Sequence, residues 1–392
     1  MMSNDIEWKM VKLGDVCQIK DGTHQTPHYV ENGKQFYSVE NVTNNDFSHT
    51  KYISESEHKK LTATYRIEKG DVLMTRIGSI GVCKYIDWDV DASFYVSLAL
   101  LKCNKTFINP RYFVFYSQTK QFREEILSHS LQFAIPMKIN LGKISDVLIS
   151  IPYKNGSPDL ETQKQIAQKL GDMDSLIAAK EKLLAKKRNL KVAAMQKLLP
   201  RDTTEVKLKD CVNFVNGIAH ENFVSELGEY ILVNSKFIST EGRVVKYSSK
   251  QLLPIEEHSI LMVMSDVPNG KAIGKCFYVP NSKFKGTLNQ RICMLKVKDG
   301  IDSEFLFRLL NRNKYFLAFD DGVKQTNLRK SDVLGCPIPL PEYTEQCRIA
   351  SILSDMDSEI SAIEKEITKL QNLKTAMMQK MFCFEDSDSS SE

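Results

Sequence analysis

The side chains best placed for chemistry in this chain sit in turn-rich loops, and their chemistry is hydrogen bonding and charge pairing rather than bond breaking. The stretch "KDGTHQTPHY" offers Lys20, Thr23, His24, Gln25 and Thr26. Basic, hydroxyl and amide groups of this kind reach both phosphate oxygens and base edges. "MTRIGSIG" adds Arg76 and Ser79 between glycines, where exposed backbone N–H groups and a guanidinium can hold a phosphate. "SLQFAIPMKINLGK" contributes Gln132, Lys138 and Asn140. A second set follows further along: His220 and Asn222 in "NGIAHENF", Asn269, Lys271 and Lys275 in "VPNGKAIGK", and Asn289, Gln290 and Arg291 in "LNQR". "DGVKQTNLRK" closes it with Lys324, Gln325, Thr326, Asn327, Arg329 and Lys330. The two sets occupy corresponding places in the two halves of the chain, which is why they are taken together as candidate nucleic-acid contacts.

Catalytic patterns are near misses. "NPRY" at Asn109 to Tyr112 resembles the Asn-Pro-Pro-Tyr of adenine methyltransferases, but its third residue is Arg, and no glycine-rich strand-to-helix loop accompanies it. It reads as a helix start with Pro110 in the first turn. "GSIG" at Gly78 lacks the GxGxxG spacing, and "PDLETQK" at Pro158 lacks the spacing of a nuclease acid cluster. The seven histidines form no HExxH, and no serine lies in GxSxG. Nine scattered cysteines, never in a CxxC pair, argue against a disulfide framework and against a zinc site. No catalytic residue and no metal ligand is expected.

The elements that must position the loops come from a duplication. "LGDMDSLIAAKEKLLAKKRNLKVAAMQKLL" from Leu170 is written almost again as "LSDMDSEISAIEKEITKLQNLKTAMMQKMF" from Leu353. With an offset of 183, 20 of the 39 positions from Glu161 to Leu199 are identical. The second copy carries a heptad stripe at Ile349, Leu353, Met356, Ile360, Ile363, Ile367, Leu370 and Met377, the seam of a coiled coil. The first keeps it at Ile166, Leu170, Met173, Ile177, Leu184 and Leu198 but is interrupted by Lys180, Lys187 and Lys191, which face either partner subunits or carboxylates on the second helix. At about 1.5 Å per residue, each makes a rod of nearly 60 Å that cannot bury its stripe alone, so the two are expected to pack on each other. Residues 161–200 carry a net +5 and residues 342–392 a net −6, which favours that pairing modestly.

Repetition extends outside the helices. "VKLGDVCQIKDG" at Val11 resembles "VKLKDCVNFVNG" at Val206, and "IEKGDVLM" at Ile67 resembles "IEEHSILM" at Ile255. Between these landmarks the halves diverge. Short β-type runs alternate with turn signals, and one amphipathic helix is expected in each half, at "RYFVFYSQTKQFREEIL" and "SEFLFRLLNRNKYFLAF". The expected fold is α+β: two tandem mixed domains, each followed by a long helix, the helices packed as an antiparallel coiled coil with internal pseudo-two-fold symmetry. The boundaries read as domain 1 over 1–157, a central spacer helix over 158–200, domain 2 over 201–341, a C-terminal spacer helix over 342–384 and a disordered acidic tail over 385–392. No run approaches the roughly 18–20 apolar residues a membrane helix needs, and the expected location is cytoplasmic.

With these landmarks the chain resembles the specificity subunit of a type I restriction-modification system. The resemblance rests most on "CPIPLPEYTEQCRIASILSDMDSEISAIEKEITKLQNLKTAMMQKMF", with its Pro-x-Pro, Glu345-Gln346, Ile349-Ala350 and Asp355-x-Asp357 steps, and on "GDVLMTRIGSIG" at Gly70. The first copy departs from it, since "YKNGSPDLETQ" follows Ile151-Pro152, while Gln163, Ile166, Ala167 and Asp172 to Asp174 are kept. The resemblance implies two target recognition domains, each reading one half of an interrupted, asymmetric double-stranded DNA site at fixed spacing. It implies as partners two adenine-methylating modification subunits and restriction/translocase subunits, and no membrane. It implies no catalysis and no cofactor in this chain, with S-adenosylmethionine, ATP and Mg acting in the partners. The competing readings are a coiled-coil adaptor that does not bind DNA, and an orphan or phase-variable specificity subunit.

Overall fold

The computed structural model describes residues 6–198, 205–267, 272–279 and 284–382. Asn269, Lys271, Pro200 and the acidic tail lie outside the described residues. The chain divides into two compact units, residues 1–181 with 365–392, and residues 182–364.

In unit 1 the strand Glu7–Lys12 pairs antiparallel with Leu148–Lys154, bringing the two ends of the first domain together. Between them lies an antiparallel sheet ordered Cys17–Asp21, Leu98–Cys103, Val72–Thr75, Cys83–Tyr85. A second sheet is ordered Tyr29–Val30, Lys51–Ile53, Lys34–Tyr37, Ala92–Phe94, its last two strands parallel. The run "VLMT" of Val72–Thr75 is buried at every position because its sheet is covered on both sides. Val72, Met74, Ala99 and Leu101 face one core with Tyr112, Phe113 and Ile149, while Leu73, Leu98 and Leu100 face another with Tyr37, Val42 and Ile86. The strand period of two sends neighbours to opposite faces, and each fully buried aliphatic side chain contributes about 1.5–3 kcal/mol.

Unit 2 repeats the plan. Glu205–Lys207 pairs with Pro337–Pro339, and the antiparallel sheet is ordered Val212–Asn216, Ile292–Val297, Ile260–Val263, Cys276–Tyr278. Ile260 and Met262 face the core with Phe305 and Leu306; Leu261 and Val263 face the core with Phe237 and Leu288. The eight described cysteines are free thiols. Cys17 and Cys103 lie opposite each other on paired strands with their sulfurs in contact, and that neighbour, with burial, holds the Cys17 thiol far above its ordinary range.

The single amphipathic helix expected in each half is two helices in each case. In unit 1 these are Pro110–Tyr116 and Lys120–Ser128; in unit 2, Ser303–Leu310 and Lys314–Leu317. The break has a local cause. Thr119 Oγ1 accepts from Phe122 N at 3.2 Å, and Asn313 Oδ1 accepts from Tyr315 N at 2.9 Å, so each polar side chain starts a new helix.

The long helices span Leu160–Leu198 and Tyr343–Met381. Each begins in one unit and ends in the other. The ends of the heptad stripe belong to domain cores as much as to a helix seam. Ile166 and Leu170 join the unit 1 core, where Met377 and Phe382 also pack. Ile349 and Leu353 join the unit 2 core, where Met356 and Leu198 also pack. Ile177 and Ile367 are buried, and Met173, Leu184, Ile360, Ile363 and Leu370 are half-buried.

The interrupting lysines reach carboxylates of the other helix. Lys180 meets Glu366 at 2.8 Å in unit 1, and Lys187 meets Glu359 at 2.6 Å in unit 2, where Lys191 pairs with Asp357. Lys374 meets Asp174 at 2.7 Å. Rising numbers on one helix meet falling numbers on the other, so within each unit the segments run antiparallel. Half-exposed pairs of this kind contribute about 0–1 kcal/mol each and act mainly on register.

Asp357 is the strongest of them, because Arg308, 8% exposed, also donates to it at 2.7 Å. Burial alone would raise its carboxyl, but the bonds from Lys191 and Arg308 outweigh that and hold it below its ordinary value. A carboxyl depressed in the folded state contributes stability above about pH 4 that is lost as pH falls through the folded value. Asp357→Asn is expected to cost about 0.5–2 kcal/mol at pH 7, discounted for its partial exposure, with the gap closing below about pH 4. Urea melts at pH 7 and pH 3 check this; an equal gap at both would contradict it.

Candidate nucleic-acid interface

In unit 1 three loops are tied together by a carboxylate and a guanidinium. Asp21 ends the strand Cys17–Asp21, accepts from Gly22 N at 3.0 Å and from Arg76, and lies 2.8 Å from His24 Nε2. Arg76 also donates to Ile139 O at 3.3 Å, and Ile139 N donates back to Arg76 O at 3.0 Å. Arg76 is only 11% exposed. It was expected to hold a phosphate, and in the fold its Nε and Nη1 join 21, 76 and 139. The glycine amides beside it are also occupied: Gly78 N donates to Met137 O and Gly81 N to Thr75 O, both at 2.8 Å. Satisfying the backbone of crossing loops consumes the groups that an open loop would offer.

Polar side chains are exposed around this hub. His24, Gln25, Thr26, Ser79, Gln132, Lys138 and Asn140 are exposed. Lys20 and Thr23 are half-buried, Lys20 lying over the Tyr65 ring and Thr23 N bonding Phe94 O at 3.1 Å. The three predicted stretches of unit 1 thus form one cluster.

Unit 2 builds the equivalent cluster from different residues. Ile218 bridges Asn289, Gln290 Nε2 donates to Glu221 Oε1 at 2.7 Å, and Met264 N donates to Arg291 O at 3.0 Å. Ser265–Asp266 pairs with Thr326–Asn327, and Gln325 Nε2 donates to Ser265 Oγ at 2.8 Å. Leu328 N bonds Met264 O at 2.8 Å, as Ile139 N bonds Arg76 O, so Met264 stands where unit 1 has its arginine. Asn222, Gln290, Arg291, Lys324, Gln325, Asn327, Arg329 and Lys330 are exposed, and Asn289 is half-buried.

Two predicted contacts of unit 2, His220 and Thr326, are corrected by their burial, and a third, Lys275, is engaged within the fold. His220 is fully buried, with Nδ1 2.6 Å from Ile218 O and Nε2 2.8 Å from Thr287 Oγ1, and it holds the loop from inside. Thr326 is buried and its hydroxyl donates to Asp320 at 3.1 Å. Lys275 donates to Ser239 O at 3.0 Å and to Glu241 at 3.1 Å. In each case a partner brought close by the fold engages the polar group, across 67 residues for His220 and 36 for Lys275, which sequence position does not reveal.

Two positioning residues escaped the sequence reading. Gln163 is fully buried: its Oε1 accepts from Asn109 N at 2.8 Å and its Nε2 donates to Phe107 O at 3.1 Å. Gln346 does the same in unit 2, accepting from Asp302 N and donating to Pro341 O, both at 2.9 Å. Asn109 and Asp302 are the N-caps of the domain helices Pro110–Tyr116 and Ser303–Leu310, so each glutamine fixes its long helix to its own domain. Their identity under the 183-residue offset was the available signal.

Among the described residues no three metal-ligating side chains converge, and no helix is long and apolar enough to cross a membrane. A duplicated α+β unit whose variable loops gather into one polar cluster per unit defines a tandem recognition protein. The chain belongs to the type I restriction modification DNA specificity domain family, whose profile matches residues 5–186 and again 200–373. Relatives include a protein of Methanocaldococcus jannaschii described as the type I restriction enzyme MjaX specificity subunit, 23% identical over 95% of this chain and 92% of the relative. The MjaVIII specificity subunit of the same organism is 29% identical over 47% of this chain and 43% of its own length. The fold is similar to the crystal structure of the type I restriction-modification S subunit from M. genitalium, with a TM-score of 0.63 at 16% identity over 98% of both chains. It is also similar to a chain from a study of type I system assembly and conformational transition, with a TM-score of 0.59 at 15% identity over 97% of this chain and 98% of that one.

Proposed function

We propose that this specificity subunit reads a bipartite, asymmetric double-stranded DNA site, with residues 1–157 and 201–341 each reading one half. The observation that supports this is the recurrence of one backbone scaffold, loops after Cys17–Asp21 or Val212–Asn216, after Val72–Thr75 or Ile260–Val263, and before the last strand, carrying different exposed side chains in each unit. Equivalent placement with different hydrogen-bonding groups is what two readers of different sequences require. The spacer helices, 158–200 and 342–384, set the distance between half-sites. Two adenine-methylating subunits and restriction/translocase subunits join this chain, and S-adenosylmethionine, ATP and Mg act in them.

The test is an exchange of residues 1–157 for the matching segment of another specificity subunit, in cells that express the methyltransferase partner. Sequencing of methylated adenines is expected to show one half-site replaced and the other kept. Replacement of both halves, or of neither, would refute independent reading.

A further inference from the structure

The loop at 131–138 carries a feature that polar contacts leave unused. Phe133 and Ile135 are 101% and 100% exposed, and Leu131 is 46% exposed. Isolated apolar side chains are ordinary on a protein surface, but two wholly exposed ones within three residues mark an interaction site. The loop is anchored at its neck. Leu131 N donates to Lys138 O at 2.8 Å, Ala134 N to Leu131 O at 3.1 Å, and Gly78 N to Met137 O at 2.8 Å. Gln132 Nε2 donates to Leu127 O at 3.1 Å. These bonds present the apolar tip instead of letting it fold back onto the core.

Charge is distributed to match. No charged residue occurs from Leu131 to Met137, while Lys138 follows at the neck beside the Asp21–Arg76 hub. A phosphate backbone attracts the neck, and the tip then needs an apolar surface. In a duplex that surface is the face of a base pair.

We propose that Phe133 and Ile135 form a wedge that enters a base-pair step within the half-site read by unit 1, opening the stack and kinking the duplex. The inference rests on the DNA-reading function proposed above. The equivalent loop of unit 2, anchored where Thr326–Asn327 pairs with Ser265–Asp266, presents Val323 at 75% exposure. Apolar exposure at the same place supports a shared mode of contact, and the shorter valine confines the main kink to one half-site.

The experiment uses the complex assembled with its methyltransferase subunits, on a duplex carrying its methylated site and dyes at both ends. Phe133→Ser with Ile135→Ser is expected to reduce the bend by at least about 20° and to weaken site binding about 10-fold or more. The melting temperature and subunit stoichiometry should not change, because both side chains are fully exposed. Phe133→Leu with Ile135 intact should keep most of the bend. An unchanged bend and affinity would overturn the wedge, as would loss of methyltransferase subunits with the bend intact, which would make the tip a protein-docking element. If the parent complex binds no duplex, the DNA-reading function itself fails and the wedge fails with it.

Discussion

Replacing Phe382 by alanine is expected to loosen the first recognition domain, although the two are far apart in sequence. Phe382 is 1% exposed, with its ring 5.4 Å from that of Tyr112 and 5.5 Å from that of Tyr116. It belongs to the same core as Val72, Met74 and Ile149. Truncating a buried phenylalanine costs about 3–5 kcal/mol, as lost transfer energy and a cavity that closes only in part. In a unit of this size each kcal/mol lowers the melting temperature by roughly 2–4 °C. Hydrogen exchange read by mass spectrometry should show faster exchange at Val72–Thr75 and no change at Ile260–Val263, in the other unit. Equal protection at Val72–Thr75 in parent and variant would mean that the end of the second long helix does not complete this domain. Phe382→Leu, which keeps most of the volume, should cost much less.

Gln346→Met is expected to be more damaging than Gln346→Ala, the reverse of the order for an apolar core position. The side chain is 1% exposed, and both ends of its amide are used, by Asp302 N and Pro341 O. Methionine fills the space and leaves two buried polar groups without partners, at about 1–3 kcal/mol each. Alanine leaves room for a water that can bond both. The expected losses are about 2–5 kcal/mol for Met and less for Ala, measured by urea denaturation of unit 2 signals. Equal effects, or a milder Met, would show that the clasp does not depend on the amide. Gln163→Met should act likewise on unit 1, since its amide bonds Asn109 N and Phe107 O.

Much of the architecture was legible because it rests on local periodicity. The heptad stripe follows from spacing alone, and its positions in the helices are buried or half-buried, including the lysines that interrupt it. The opposite charges of the two helical segments anticipated the ion pairs Lys180–Glu366 and Lys187–Glu359. The split of each domain helix was missed because "SQT" and "NRN" are ambiguous within an apolar period. The short-range bonds that Thr119 accepts from Phe122 N and Asn313 from Tyr315 N make them caps, and the apolar period masks that signal.

The candidate site divides along the same line. By itself the sequence determined that there are two related units, that variable loops rich in amides and bases lie between constant landmarks, and that a paired helix follows each. Only the tertiary structure decided which of those polar groups are left free. Arg76 finds Asp21 across 55 residues and His220 finds Thr287 across 67, so both hold loops in place, while Gln25, Lys138, Asn222 and Arg291 remain exposed. Periodicity is carried by neighbours in the chain and survives in the sequence. Whether a polar side chain is free depends on partners that only the folded chain brings within hydrogen-bonding distance.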